Sequence, residues 1–307
     1  MPQVDQSQSR CRALQQVLPL LAILLLTLSP VHSSSNDSRL NVWVSILPQQ
    51  WFAEQLAADF ADIHVLLEPG QSPHTYDPSP RHLAAMAEAD LLLCIGVPFE
   101  QTLIPRLENM YPHLRIVDVR DGIALRSVDD GCSDHDHSHQ QLDPHVWLDP
   151  AAATIIARNM AQELCRIDSM HCDEYQSRLA TIVDSLVVVD SISRVMLSEY
   201  RGRKLYVYHA AFGYWCAAYG LEQVPIEMGA REPGPRQVAR LIESARVDNV
   251  SVVFVQPQFS DASARAIAAE LKGSVVAIDP LAADYPENLL RMAAAVAGGL
   301  NPQEVEQ

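Results

Sequence analysis

The chain has 307 residues, enough for two buried cores at about 150 residues per domain. It carries 22 Lys plus Arg against 38 Asp plus Glu, a formal charge of -16, which excludes a nucleic-acid or anionic-lipid surface because both need clustered positive charge. At 48% hydrophobic and 20% charged residues it is too apolar for a disordered chain, and it contains neither GxxxxGKS/T nor GxGxxG, the common phosphate-cradling loops.

Arg10 and Arg12 precede an apolar run from Val17 to Leu28, followed by small and polar residues through Ser35. That order reads as a secretory signal peptide over residues 1–33, cut after Ser33, with an uncleaved N-terminal anchor as the alternative; the run is short for a membrane span of about 20 residues. Cys11 precedes the apolar run, so it is not a lipid-bearing first residue. The mature chain is expected in the periplasm, with no stable membrane insertion. Its cysteines are Cys94, Cys132, Cys165, Cys172 and Cys216. An oxidising compartment permits a disulfide, and Cys165 with Cys172 is the pair nearest in sequence, bracketing a turn between helices. Sequence does not fix that connectivity, and the odd count leaves a thiol over. Cys94 and Cys216 sit in apolar runs and read as small buried hydrophobes.

From Leu40 onward, short β-branched runs alternate with amphipathic segments. Strands are expected at 41–46, 63–67, 91–95 and 115–119, with helices at 49–59, 80–89 and 99–109 between them. Strand and helix in turn imply βαβ units and a mostly parallel sheet. A second series has strands at 204–208, 251–255 and 274–278 and helices at 234–245 and 261–272. Between the series, Leu179, Ile182, Val183, Leu186, Val189, Ile192, Val195, Met196 and Tyr200 recur at three- and four-residue steps without Gly or Pro. This predicts one long helix over 173–200, about 42 Å at 1.5 Å per residue, with a break near Asp190 and Ser191 as the alternative. The expected fold is α/β: two lobes, each a mostly parallel sheet flanked by helices (38–170 and 203–305), joined by a linking helix (171–202).

Four candidate metal ligands stand where a strand has just ended or prolines enforce a turn: His74 in PGQSPHTYDP, His145 in DPHVWLDP, His209 after KLYVY, and Asp279 after SVVAI. Ligands in open α/β sheets bind beyond the carboxyl ends of strands, so these positions can converge on one cleft. Three imidazoles and a carboxylate suit tetrahedral Zn(II), whereas Mn(II) prefers more oxygen. Acid should release the metal near the free imidazole value of about 6.5. A second cluster, His135, His137 and His139 in DHDHSH, reads either as a low-affinity metal-collecting loop or as a solvated loop. His64, His82, His113 and His171 belong to no constellation.

The chain resembles the zinc-uptake solute-binding proteins of ABC importers, a cluster that includes manganese-binding members. The resemblance rests on SILPQQWFAEQLA, PGQSPHTYDPSPRHLAAMAEADL, GVPFE, DPHVWLDP, HAAFGYW and IDPLA, in that order over most of the mature chain. It implies two lobes on a rigid linking helix, a metal held between them, and delivery to an ABC transporter membrane permease. The family's three imidazole positions fall on His74, His145 and His209, and its carboxylate falls on Asp279. Glu is typical of manganese binders at the third position, so His209 favours zinc. Some zinc members use a Glu beside the first His, or a water, in place of that carboxylate; Pro73 precedes His74 here, which closes the Glu option and leaves Asp279 as the better choice. The alternatives are manganese or iron binding within the same importer class, or a zinc hydrolase with Asp279 as base beside a metal-bound water; the chain has no HExxH. The protein is expected to be a monomer and not an enzyme.

Overall fold

Runs of β-branched and aliphatic residues that tolerate burial on both faces become the inner strands of two parallel sheets. In the computed structural model of the chain, residues 39–127, 142–227 and 232–301 are described. The expected signal peptide, Cys132 and the cluster His135, His137 and His139 lie outside the described residues.

The first sheet contains β1 (Leu40–Val44), β2 (Ala61–Val65), β3 (Leu91–Cys94) and β4 (Arg115–Asp118), in the order β2-β1-β3-β4. The second contains β5 (Lys204–Val207), β6 (Glu222–Pro225), β7 (Val252–Val255) and β8 (Ser274–Ala277), in the matching order β6-β5-β7-β8. Every pairing is parallel. The inner strands β3 and β7 are buried at every residue, while the edge strand β2 alternates buried and exposed positions.

Nine α-helices cover the sheets among the described residues: α1 (Leu47–Ala57), α2 (Pro80–Ala85), α3 (Glu100–Met110), α4 (Pro150–Ile167), α5 (Cys172–Leu197), α6 (Gly213–Tyr219), α7 (Pro235–Val247), α8 (Ala262–Glu270) and α9 (Tyr285–Leu300). The sequence reading omits α4, α6, α9 and the edge strand β6. The signal for α4 was present: Asp149 caps it by accepting from Ala151 N at 2.9 Å, Pro150 opens its first turn, and Ala153, Ile156, Ala157, Met160 and Leu164 form its buried face. Strand β6 (EQVP) has no apolar run to reveal it.

Helix α5 is continuous for 26 residues and ends in a 3-10 turn at Ser198–Tyr200. Asp190 and Ser191 do not break it, because both fold back onto the helix: Asp190 accepts from Arg194 Nε at 2.9 Å, and Ser191 Oγ donates to Val187 O at 2.8 Å. The buried face comprises Tyr175, Ile182, Leu186, Val189, Ser193 and Leu197. Ile192 and Val195, expected in the stripe, face outward at 41% and 75% exposure.

One apolar cluster runs through both sheets, from Val42 and Leu93 in the first to Val207 and Phe254 in the second, by way of α4, α5 and α9. The halves therefore share a core. Polar bonds cross between them as well: the hydroxyl oxygen of Tyr214 accepts from Arg126 N at 2.8 Å, and Trp147 Nε1 donates to Pro280 O at 2.8 Å. In the first half, Glu100 of GVPFE accepts from Ser45 Oγ, from Ile95 N at 2.9 Å and from Gly96 N at 2.6 Å, filling the gap beyond the ends of β1 and β3. Burial pushes its carboxyl up to about 7.

Cys165 and Cys172 form a disulfide across the turn from α4 to α5, and Cys94 and Cys216 are buried free thiols. Closing so short a loop removes about 2 to 3 kcal/mol of unfolded-chain entropy. The double substitution Cys165→Ser, Cys172→Ser should lower stability by about that amount in urea denaturation, with an unchanged slope.

Candidate metal centre

Each candidate histidine is held by its own local structure. His74 lies in the loop after β2, where Ser72 organises a turn: its carbonyl accepts from Thr75 N at 3.2 Å and Tyr76 N at 3.0 Å, and its hydroxyl accepts from His74 N at 3.3 Å. His145 follows Asp143 and Pro144, and Asp143 Oδ1 accepts both His145 N at 3.0 Å and His145 Nδ1 at 2.7 Å. His209 follows β5. Gln256, at the end of β7, brackets its backbone, accepting from His209 N and donating to His209 O, each at 3.0 Å. Glu227, beyond β6, accepts from His209 Nδ1.

These carboxylates settle the tautomers. Ionised Asp and Glu only accept, so Nδ1 of His145 and of His209 carries the hydrogen and Nε2 presents its lone pair. The ligating nitrogens of His74, His145 and His209 all lie within 4.8 Å of one another, and Nε2 of His74 is 3.0 Å from Nε2 of His209. Tetrahedral zinc with bonds of about 2.0–2.1 Å separates its nitrogens by about 3.3 Å, so the donor type and spacing fit. Phe259 stacks on His209 with centroids 4.7 Å apart, and Trp147 lies 5.2 Å from His145. The cavity between them is about 10 Å3, room for one ion or one water.

Gly213 opens α6 where a Cβ would stand 2.9 Å from Asp143 Oδ2, so the absence of a side chain lets the second half close on the partner of His145. Asp143 and Glu227 are each 4% exposed. Neither was singled out from the sequence. Asp143 was detectable two residues before His145, whereas Glu227 follows the unrecognised strand β6.

The structure brings three of the four expected ligands together and leaves Asp279 outside the group. Asp279 Oδ1 instead accepts from Gln258 Nε2 at 2.7 Å and from Leu281 N at 2.9 Å. The remaining described histidines have ordinary roles: His64 stacks on Trp43, His82 bonds Tyr76 O–H, His113 reaches Ala87 O, and His171 pairs with Asp168.

Burial, reinforced by the neighbouring His209 and His145, lowers His74 to about 3. Burial also lowers His209, against the opposing pull of Glu227. His74 is therefore neutral well below the free imidazole value and His209 is shifted in the same direction, so the expected acid release near 6.5 moves to lower pH. The same shifts set a stability trend. Between about pH 6.5 and 3 the unfolded chain takes up protons that the folded metal-free chain refuses at His74, so this contribution is complete above about 6.5 and is lost as pH falls toward 3. Urea denaturation of the metal-free protein should show declining stability through that window, and His74→Gln should flatten the decline.

Residues 42–299 match the protein family described as "Zinc-uptake complex component A periplasmic". The chain is 26% identical over 271 residues to the zinc-binding lipoprotein AdcA of Streptococcus pneumoniae, covering 85% of this chain and 54% of that protein. It is 26% identical over 263 residues to the high-affinity zinc uptake system protein ZnuA of Bacillus subtilis, covering 81% of each. The chain thus spans about half the length of the streptococcal relative and most of the Bacillus one. Manganese proteins also occur among the relatives, including the manganese ABC transporter substrate-binding lipoprotein PsaA of Streptococcus mitis, 27% identical over 213 residues. The crystal structure of ZnuA superposes with a TM-score of 0.80 at 33% identity, over 85% of this chain and 99% of that one.

Proposed function

The chain belongs to the family of zinc-uptake complex component A periplasmic proteins, and on that premise we propose that it is an extracytoplasmic solute-binding protein that captures Zn(II) between its two lobes. The lobes are residues 38–170 and 203–305, linked by 171–202. The observation that carries this reading is the convergence of His74, His145 and His209 on a cavity sized for one ion.

The chemistry favours zinc over manganese or iron. Three imidazole nitrogens are borderline-soft donors that suit zinc, and manganese would be better served by oxygen at His209. Behind the imidazoles, Asp143 and Glu227 bring two buried negative charges, which balance a divalent cation without a carboxylate in direct contact. Asp279 would have to leave Gln258 to become the fourth ligand.

Delivery to an ABC transporter permease follows from the company the chain keeps: its relatives are named for zinc uptake and for a manganese ABC transporter. Among the described residues no helix is long and apolar enough to cross a membrane, so insertion is left to the partner. We place the mature protein in the periplasm as a monomer, after removal of residues 1–33.

Metal-stripped protein spanning 34–307, titrated with Zn(II) and Mn(II) against a chromophoric chelator, should bind one tight zinc equivalent that excess manganese does not displace; preference for manganese would overturn the zinc reading. His145→Ala or His209→Ala should weaken zinc about a hundred- to a thousandfold, a ligand's share of a structural zinc site. His209→Glu should weaken zinc and shift preference toward manganese. Asp143→Asn and Glu227→Gln should each cost about ten- to a hundredfold by releasing the ring they orient.

A further inference from the structure

The wall around the three imidazoles is not equally closed on every side. His74, Gln258 and Phe259 are half-buried and the rest of the wall is buried, so these three make up its face toward solvent. His74 is itself a proposed ligand, and Gln258 is tied to Asp279 Oδ1 at 2.7 Å. Phe259 has no polar group on its side chain and is held by packing. Its ring stacks on His209 with centroids 4.7 Å apart, lies 5.6 Å from Tyr208 and is 6.4 Å from His74. Of the three, it is the one that can swing aside without losing a ligand or a side-chain hydrogen bond.

The packing behind Phe259 is separate from the core that joins the two halves. Trp147 and Leu281, elsewhere in the wall, belong to the shared core. Phe259 packs instead on a smaller cluster that includes Tyr208, Val253, Ala264 and Ile267. A satellite cluster of this kind can shift while the main core stays closed. A polar strap crosses it. Glu232, just before α7, accepts from Tyr208 O–H at 3.0 Å through Oε1 and from Ser263 Oγ through Oε2. Tyr208 backs the Phe259 ring, and Ser263 lies in the first turn of α8, at the far end of the turn that carries Phe259. The near end is pinned by Gln256, which brackets the backbone of His209 and accepts from Phe259 N at 3.1 Å. Pro233 follows Glu232 and restricts the backbone that presents its carboxylate.

We propose that Phe259 is the gate past which the metal ion reaches and leaves the three imidazoles, and that Glu232 is a positioning residue that keeps the gate shut by tethering Tyr208 and Ser263. Both oxygens of Glu232 are spent on the strap, so it acts on the ion only through Tyr208 and Phe259. A gate changes how fast the ion crosses in either direction. Ligands, by contrast, set how tightly it is held. Because Glu232 is exposed, the strap can be released from outside without touching a ligand.

The inference rests on the three-histidine reading, and the test separates the two. Zinc association to the chain spanning 34–307 is followed by tryptophan fluorescence in stopped flow, and dissociation by a chelator chase. Phe259→Ala should raise the association rate about tenfold and Phe259→Leu about threefold, with dissociation faster in both, because binding that waits on a conformational step is slowed by it. Glu232→Ala should raise both rates about fivefold and leave Kd within about twofold, while Glu232→Gln, whose amide oxygen still accepts from Tyr208, should keep both rates within about twofold of the unaltered protein. Loosened ligands would act differently: dissociation alone would quicken, and Kd would weaken. That pattern in the Phe259 variants, or unchanged association rates, overturns the gate and leaves the histidine site intact. Unchanged rates in Glu232→Ala overturn the strap. If Phe259→Ala loses its cooperative urea transition, Phe259→Leu and the exposed Glu232 variants decide by the same criteria. Failure of the unaltered protein to take up one equivalent of Zn(II) overturns both readings.

Discussion

The contact on which the site depends is between Trp147 and the turn at Pro280. Trp147 Nε1 donates to Pro280 O at 2.8 Å, and Tyr285 O–H donates back to the carbonyl of Trp147. Trp147 is two residues beyond His145, and Pro280 is one beyond Asp279, so this pair of bonds sets the carboxyl ends of one sheet against those of the other. Both indole and phenol are buried, where an unmade hydrogen bond is expensive. The shared apolar core through α4, α5 and α9 then resists sliding of the halves. The cleft is therefore a product of packing, and its small volume follows from that.

Gathering three imidazoles in so little space has an electrostatic consequence. Each ring loses hydration, and each would repel a second protonated ring, so His74 and His209 remain neutral. The same burial makes Asp143 and Glu227 costly unless each has a donor, and each finds one on an Nδ1. The two requirements meet in one arrangement: carboxylates orient the rings, rings satisfy the carboxylates, and the lone pairs left over face inward. His74 stands apart, since its backbone is anchored by Ser72 and no carboxylate among the described residues holds its ring. It is the ring with the greatest freedom to adjust to an ion.

Legibility of the chain followed local signals. The inner strands β3 and β7 announce themselves because burial on both faces demands unbroken apolar residues, and α5 does so because its buried stripe repeats over seven turns. Ile192 and Val195 show the limit of that inference: helical spacing identifies a face that can be buried, and the neighbouring elements decide which part of it is covered. Strand β6, polar and ending in Pro225, takes its conformation from pairing with β5, so nothing local reveals it. Glu227, delivered by that strand, was out of reach for the same reason.

His74, His145 and His209 stand out as a set in the sequence because proline-bounded turns and strand ends are local features; a single imidazole at such a place is ordinary, and only the pattern of three points to metal chemistry. The acidic, two-sheet character of the chain also follows from composition and periodicity. Which groups surround each ring is a matter of tertiary structure. Asp279 illustrates the difference: its position at a strand end qualifies it as a ligand, yet Gln258, 21 residues earlier and on the neighbouring strand end, competes for the same carboxylate. A hydrogen bond between side chains from two strands depends on sheet order and register, and those are decided only when the chain packs.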